Sequence, residues 1–139
     1  MVGNGLVDND GEYWVLYTPD GTAYVFGRGQ EPTSNTPLDS VWTVPVRGAG
    51  VAGVCALCGQ GWRWNLDRII DPNGNVTTLW WTAEINHYND PGTGERLPYA
   101  NGGHLAQIVY GKRAYAEGST GPAAVWFGYA DRATPVCQG

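Results

Sequence analysis

Helix breakers punctuate most of this chain: 21 glycines and 9 prolines are spread through 139 residues. Inside a helix a glycine costs about 1 kcal/mol and a proline about 3 kcal/mol relative to alanine, so long helices are excluded before any other pattern is weighed. Between the breakers lie short runs rich in Val, Ile, Tyr, Trp and Thr that alternate between apolar and polar residues, as half-buried strands do. The expected fold is all-β, antiparallel hairpins forming a twisted sheet, and the length suits a single domain over 1–139.

The turns divide that domain. TPDG (18–21) separates EYWVLY (12–17) from TAYVFG (22–27); Pro19 presets φ, and Asp20 with Gly21 suits a tight turn. A polar loop (28–39) leads to SVWTVPV (40–46), where Pro45 lacks a ladder donor and marks an edge or a strand end. Residues 12–46 are thus a first hairpin plus a short strand. The central hairpin spans 62–85, NHYNDPGTGERLPYANGG (86–103) reads as a loop, and 104–130 holds the last strands, HLAQIVYG and AAVWFGYA. EYWVLY is apolar on both faces, and a small domain would struggle to cover both.

The central hairpin, WRWNLDRIIDPNGNVTTLWW (62–81), holds four of the seven tryptophans. With Asp71 to Gly74 as a four-residue turn, Ile70 faces Asn75, Leu66 faces Leu79, Trp64 faces Trp81 and Trp62 faces Ala83. One face then carries Trp62, Trp64, Leu66, Ile70, Leu79 and Trp81. The other carries Arg63, Asn65, Asp67, Thr78 and Trp80. On this reading Asp71, Gly74 and Asn75 are turn chemistry, and Trp62, Trp64 and Trp81 are cross-strand packing.

Charge narrows the partners. The net charge is −5 and the eight Lys and Arg are scattered singly, so a nucleic-acid backbone would be repelled. No apolar run reaches the roughly 18 residues of a membrane-spanning helix. MVGNGLVDNDG lacks the charged start and apolar centre of a signal peptide, which predicts a cytoplasmic protein if the chain stands alone. The three cysteines are Cys55 and Cys58 in CALC, and Cys137. They fit structural thiols or a disulfide better than zinc, for which His87 and His104 would have to help, or redox chemistry, for which a helix start is missing.

Catalytic signals are sparse. Asp20, Asp71 and Asp90 sit beside Pro or Gly, where an Asp side chain caps its own turn. Asp67 and Glu84 are the remaining carboxylates of the central hairpin and the only pair through which a small glycoside hydrolase reading would run. No Ser lies in GxSxG, and GAGVAG (48–53) lacks the Lys and helix of a phosphate loop. The chain is expected to be no enzyme and to need no cofactor or metal. A better functional candidate is a carbohydrate-binding β-module, with Trp80, Tyr88, Tyr99 and Tyr115 as aromatic platforms for sugar rings.

The order of these motifs resembles a family. WRWNLDRIIDPNGNVTTLWWTAEINHY is similar to a segment of actinobacterial RHS (YD-repeat) proteins, in which a W-R-W-N-L-D lead precedes a D-P-x-G-N turn and an aromatic strand ending in E-x-N-x-Y. YWVLYTPDGTAYVFG and SVWTVPVRG upstream, and PYANGGHLAQIVYG and AVWFGYADR downstream, are similar to the flanking strands, so the resemblance runs from about Glu12 to Arg132. It implies one band of a spiral β-strip that closes into a hollow shell around a toxin or effector domain. It further implies a non-catalytic structural role, secretion or surface display as part of a larger protein, and partners in the remaining repeats or the toxin. Asn75 stands where the family's self-cleavage motif has Leu, so that activity is not carried over. A shell needs many hundreds of residues, so the resemblance implies a fragment or short derivative that self-associates when isolated.

Overall fold

The computed structural model describes residues 11–32, 34–47, 57–114 and 121–130. Cys55, Cys137, Tyr115 and the GAGVAG run lie outside them. Among the described residues eight strands follow in chain order: β1 (Trp14–Tyr17), β2 (Ala23–Phe26), β3 (Val41–Arg47), β4 (Leu57–Trp64), β5 (Leu66–Ile70), β6 (Asn75–Asn89), β7 (Arg96–Arg113) and β8 (Ala123–Trp126). Six form an antiparallel sheet in the order β1-β2-β5-β6-β7-β8, and β3 with β4 forms a separate two-stranded sheet. The fold class is all-β, as the breakers and the alternation require.

The first hairpin forms as expected. Thr18 N–H bonds to the Thr22 carbonyl, Gly21 N–H bonds to the Thr18 carbonyl, and Gly21 takes the left-handed φ of 86° that the turn demands. The Asp20 carboxylate accepts from Thr22 N–H, capping the turn from inside. Pro45 falls on β3, whose only partner strand among the described residues is β4, in keeping with its missing donor.

The central hairpin departs from expectation in two ways. Its register is one residue further on: Ile70 pairs with Val76, Ile69 with Thr77 and Arg68 with Thr78. Asp71 N–H reaches the Asn75 carbonyl, so Asp71 and Asn75 close the ladder. The loop is therefore only Pro72, Asn73 and Gly74, with Gly74 left-handed at φ 77°. Three-residue loops of this kind end in a glycine bulge. Asp71 still does the work expected of it, accepting from Asn73 N–H, Asn75 N–H and the Asn75 side-chain amide.

The second departure is larger. The run from Trp62 to Ile70 is two strands in two sheets, broken at Asn65. That residue is buried; its N–H and side-chain amide both donate to the Ser40 carbonyl, and its own carbonyl accepts from Gly27 N–H. With both backbone groups turned toward Ser40 and Gly27, the ladder cannot continue through it. Trp62 and Trp64 therefore do not share a face with Leu66, Ile70 and Leu79, and the expected pairs Leu66 with Leu79, Trp64 with Trp81 and Trp62 with Ala83 are absent. Asp67, expected on a polar face, is fully buried.

The expected loop over 86–103 is also mostly strand. β6 and β7 form one long hairpin, pairing from Asn75 with Arg113 out to Asn89 with Arg96, and its turn is only Asp90 to Glu95. The irregularity at Glu84/Ile85 leaves Asn101 as the extra residue on β7. A Cβ on Gly103 would lie 2.2 Å from the Thr82 carbonyl oxygen, so the strands approach more closely there than any other residue permits. The small sheet packs on the outer half of this hairpin. Trp42 is buried between Trp62 and Trp81, at ring separations of 5.8 and 6.3 Å, and Leu97 and Ala100 complete the patch. Trp62 Nε1–H donates to the Ala100 carbonyl and Tyr88 O–H to the Pro45 carbonyl.

Candidate functional site

Among the described candidates for a sugar platform, Tyr88 and Tyr99 stand together and Trp80 lies apart from them. Tyr88 and Tyr99 pack edge to face across β6 and β7, with centroids 6.0 Å apart, beside the small sheet. Trp80 sits further along β6 opposite Gln107, with the Lys112 ammonium 5.2 Å from its ring. Trp80 is half-buried, and Lys112 occupies the ring face to which a sugar would otherwise be offered. Trp81 is turned inward, its Nε1–H bonded to the Leu66 carbonyl. Trp64 stacks edge to face with Trp14 at 6.3 Å and donates to the Glu12 carbonyl. Trp62, Trp64 and Trp81 thus each donate their indole N–H to a backbone carbonyl.

The carboxylates are separated too. Asp67 is buried, and its Oδ2 accepts from Arg28 N–H at 2.6 Å, Gly29 N–H at 3.2 Å and Ser40 O–H at 2.9 Å. Burial outweighs those three donors and pushes its carboxyl above the ordinary range. Its Oδ1 has no hydrogen-bond partner among the described residues. Glu84 is exposed on β6 opposite Gly102. One acid that substrate cannot reach and one on an open strand do not make the facing pair a glycosidase uses. Asp67 instead fastens the chain after β2, and the approach to β3, onto the middle of the sheet.

The turn acids behave as caps. Asp90 is held down to about 2, first by its side-chain bond with Arg47 and then by Gly92 N–H and the Thr93 hydroxyl. Asp71 and Asp20 are lowered as well, chiefly by their Asn75 and Thr18 side-chain partners. His104 lies against Tyr129 with centroids 3.9 Å apart, and His87 is exposed. Among the described residues no group of three His, Cys, Asp or Glu could hold a metal ion, and no helix is long and apolar enough to cross a membrane. Cys58 is disulfide-bonded, and its partner lies outside the described residues.

Two features remain that side-chain motifs alone did not reveal. A shallow depression of about 320 Å³ lies where Arg28 covers the Tyr13 ring, bounded by Gln30, Pro32 and Asn35. More extensive are the two ends of the six-stranded sheet. Among the described residues neither β1 nor β8 has a second neighbour. All four residues of β1 are exposed, Tyr17 at 73%, and on β8 Val125 and Trp126 are exposed, the latter also at 73%, followed by Phe127 and Tyr129. Edge strands of stable monomers are normally short, charged, proline-bearing or covered. These are short, but they carry no charge.

No protein-family model, curated protein or solved structure matches the chain.

Proposed function

We propose that the chain is a non-catalytic structural segment of an RHS-type (YD-repeat) shell, one band of a spiral β-strip that encapsulates or presents a toxin or effector domain. The observation that carries this reading is the pair of open sheet ends. Apolar edge strands at both ends of one antiparallel sheet suit a segment that continues into further hairpins on each side, since a repeat array buries its edges only against its neighbours. Supporting it, Asp20, Asp71 and Asp90 cap turns and Asp67 fastens the chain after β2. The motif order from Glu12 to Arg132 supplies the family resemblance.

The role is containment. The partners are the remaining repeats and the enclosed domain, and the setting is the cell surface or the exterior as part of a larger protein. Electron microscopy of the natural full-length product tests it: a hollow β-walled shell in which this sequence forms one band is the expected result. A product without a shell, or one in which both sheet ends face solvent, would overturn the assignment.

A further inference from the structure

Lys112 is the only lysine in the chain, and its amine is not in water. The side chain is 7% exposed, as is that of Glu31, and Lys112 Nζ lies 3.7 Å from Glu31 Oε1. Most lysines are exposed, and two buried charges incur a desolvation cost that their attraction rarely repays without further hydrogen bonds. Here the amine has no hydrogen-bond partner among the described residues, and the Trp80 ring stands 5.2 Å away. The carboxylate is held from the other side: Ser34 donates to Glu31 Oε2 twice, from its N–H at 2.8 Å and from its hydroxyl at 3.0 Å. An uncommitted amine therefore faces one oxygen of a carboxyl whose other oxygen rests on two fixed donors.

We propose that Lys112 and Glu31 form an intramolecular amide cross-link, joining β7 to the residues that follow β2. A proton passing from the ammonium to Oε1 gives a neutral amine beside a carboxylic acid. Lys112 Nζ then adds to Glu31 Cδ, and negative charge develops on Oε2, where the two Ser34 donors stabilise it as an oxyanion hole does. The Cδ–Oε1 bond breaks and its electron pair leaves with the oxygen. Of the three ammonium hydrogens one stays on the amide nitrogen and two depart with Oε1 as water, so no oxidant, reductant or co-reactant is required. Holding the two groups together supplies the proximity that such a condensation needs. The cross-link would pin the segment that follows β2 to β7.

Intact mass spectrometry of the full chain, reduced, alkylated and denatured, reads the result directly. The expected mass is one water below that of the sequence, with a proteolytic fragment in which Glu31 and Lys112 are joined, and with a Lys112 ε-amine that does not react under reductive methylation. Lys112→Arg and Glu31→Ala should each restore the full mass. A wild-type chain of full mass whose Lys112 is methylated overturns the proposal. So does a loss of water that maps to an aspartyl-glycine succinimide such as Asp20-Gly21; neither outcome depends on the variants folding.

Discussion

Removing the Asp67 side chain tests how the sheet is fastened. Asp67→Ala deprives the Ser40 hydroxyl, Gly29 N–H and Arg28 N–H of their shared acceptor. A buried donor left without its partner costs about 1–3 kcal/mol. Ser40 is fully buried and its hydroxyl loses its acceptor, whereas Arg28 is exposed and regains water and Gly29 N–H keeps the Ser40 hydroxyl oxygen at 3.1 Å, so the loss should total about 1–3 kcal/mol, carried by Ser40. Asp67→Asn is a different perturbation. Its amide oxygen keeps all three donors and the buried charge disappears, while an NH2 replaces the unpartnered Oδ1. Its stability at neutral pH should lie within about 1 kcal/mol of wild type. Because burial raises the Asp67 carboxyl in the folded state, the associated stability is fully present below the unfolded value of about 3.9 and is lost as pH rises through the folded one. Wild type should therefore gain on Asp67→Asn as pH falls from neutral toward about 4. Urea titrations at several pH values, compared at constant m, measure this. An Asp67→Ala variant within about 0.5 kcal/mol of wild type, or a gap to Asp67→Asn that is flat or reversed with pH, would refute the reasoning.

Two further outcomes are expected. Gly27 is left-handed at φ 74°, and a Cβ there would lie 2.2 Å from Trp64 Cδ1, so Gly27→Ala should destabilise by about 2–4 kcal/mol and free the Trp64 fluorescence from its contact with Trp14. Asp90 runs the other way from Asp67. Its carboxyl is lowered from 3.8 to about 2, so its contribution is present above the ordinary value and lost as pH falls through about 2. Amide exchange at the Asp90 to Glu95 turn should accelerate across that window once corrected for intrinsic rates. Asp90→Asn should show the same loosening at neutral pH.

Local chemistry was legible in the sequence wherever a turn depends only on its own residues. Pro19, Asp20 and Gly21 announced the first hairpin, and Asp71 to Asn75 announced the second. The one-residue register error came from counting Asp71 into the loop, when its N–H in fact closes the ladder with Asn75. The break at Asn65 was illegible because what stops the strand lies far along the chain, at Gly27 and Ser40. The stretch 86–103 misled for the opposite reason. Its Asn, Gly and Pro content favours a loop locally, but pairing along the whole β6–β7 hairpin overrides propensity. Asp67 was read as polar surface because the reading continued one strand through Asn65. With the break in place, β5 is an interior strand between β2 and β6, and Asp67 goes inward with it. The signal at Lys112 is compositional: it is the chain's single lysine, followed by Arg113 at the end of β7.

The open ends of the six-stranded sheet have a direct consequence in solution, which sedimentation velocity over a range of concentrations measures. The isolated chain should form concentration-dependent oligomers. Leu16→Lys on β1 together with Val125→Lys on β8, by placing charge on the two exposed edges, should return it to a monomer. A wild-type chain that sediments as a monomer at every concentration, and melts in one cooperative transition, would contradict the claim that these edges are built to be continued.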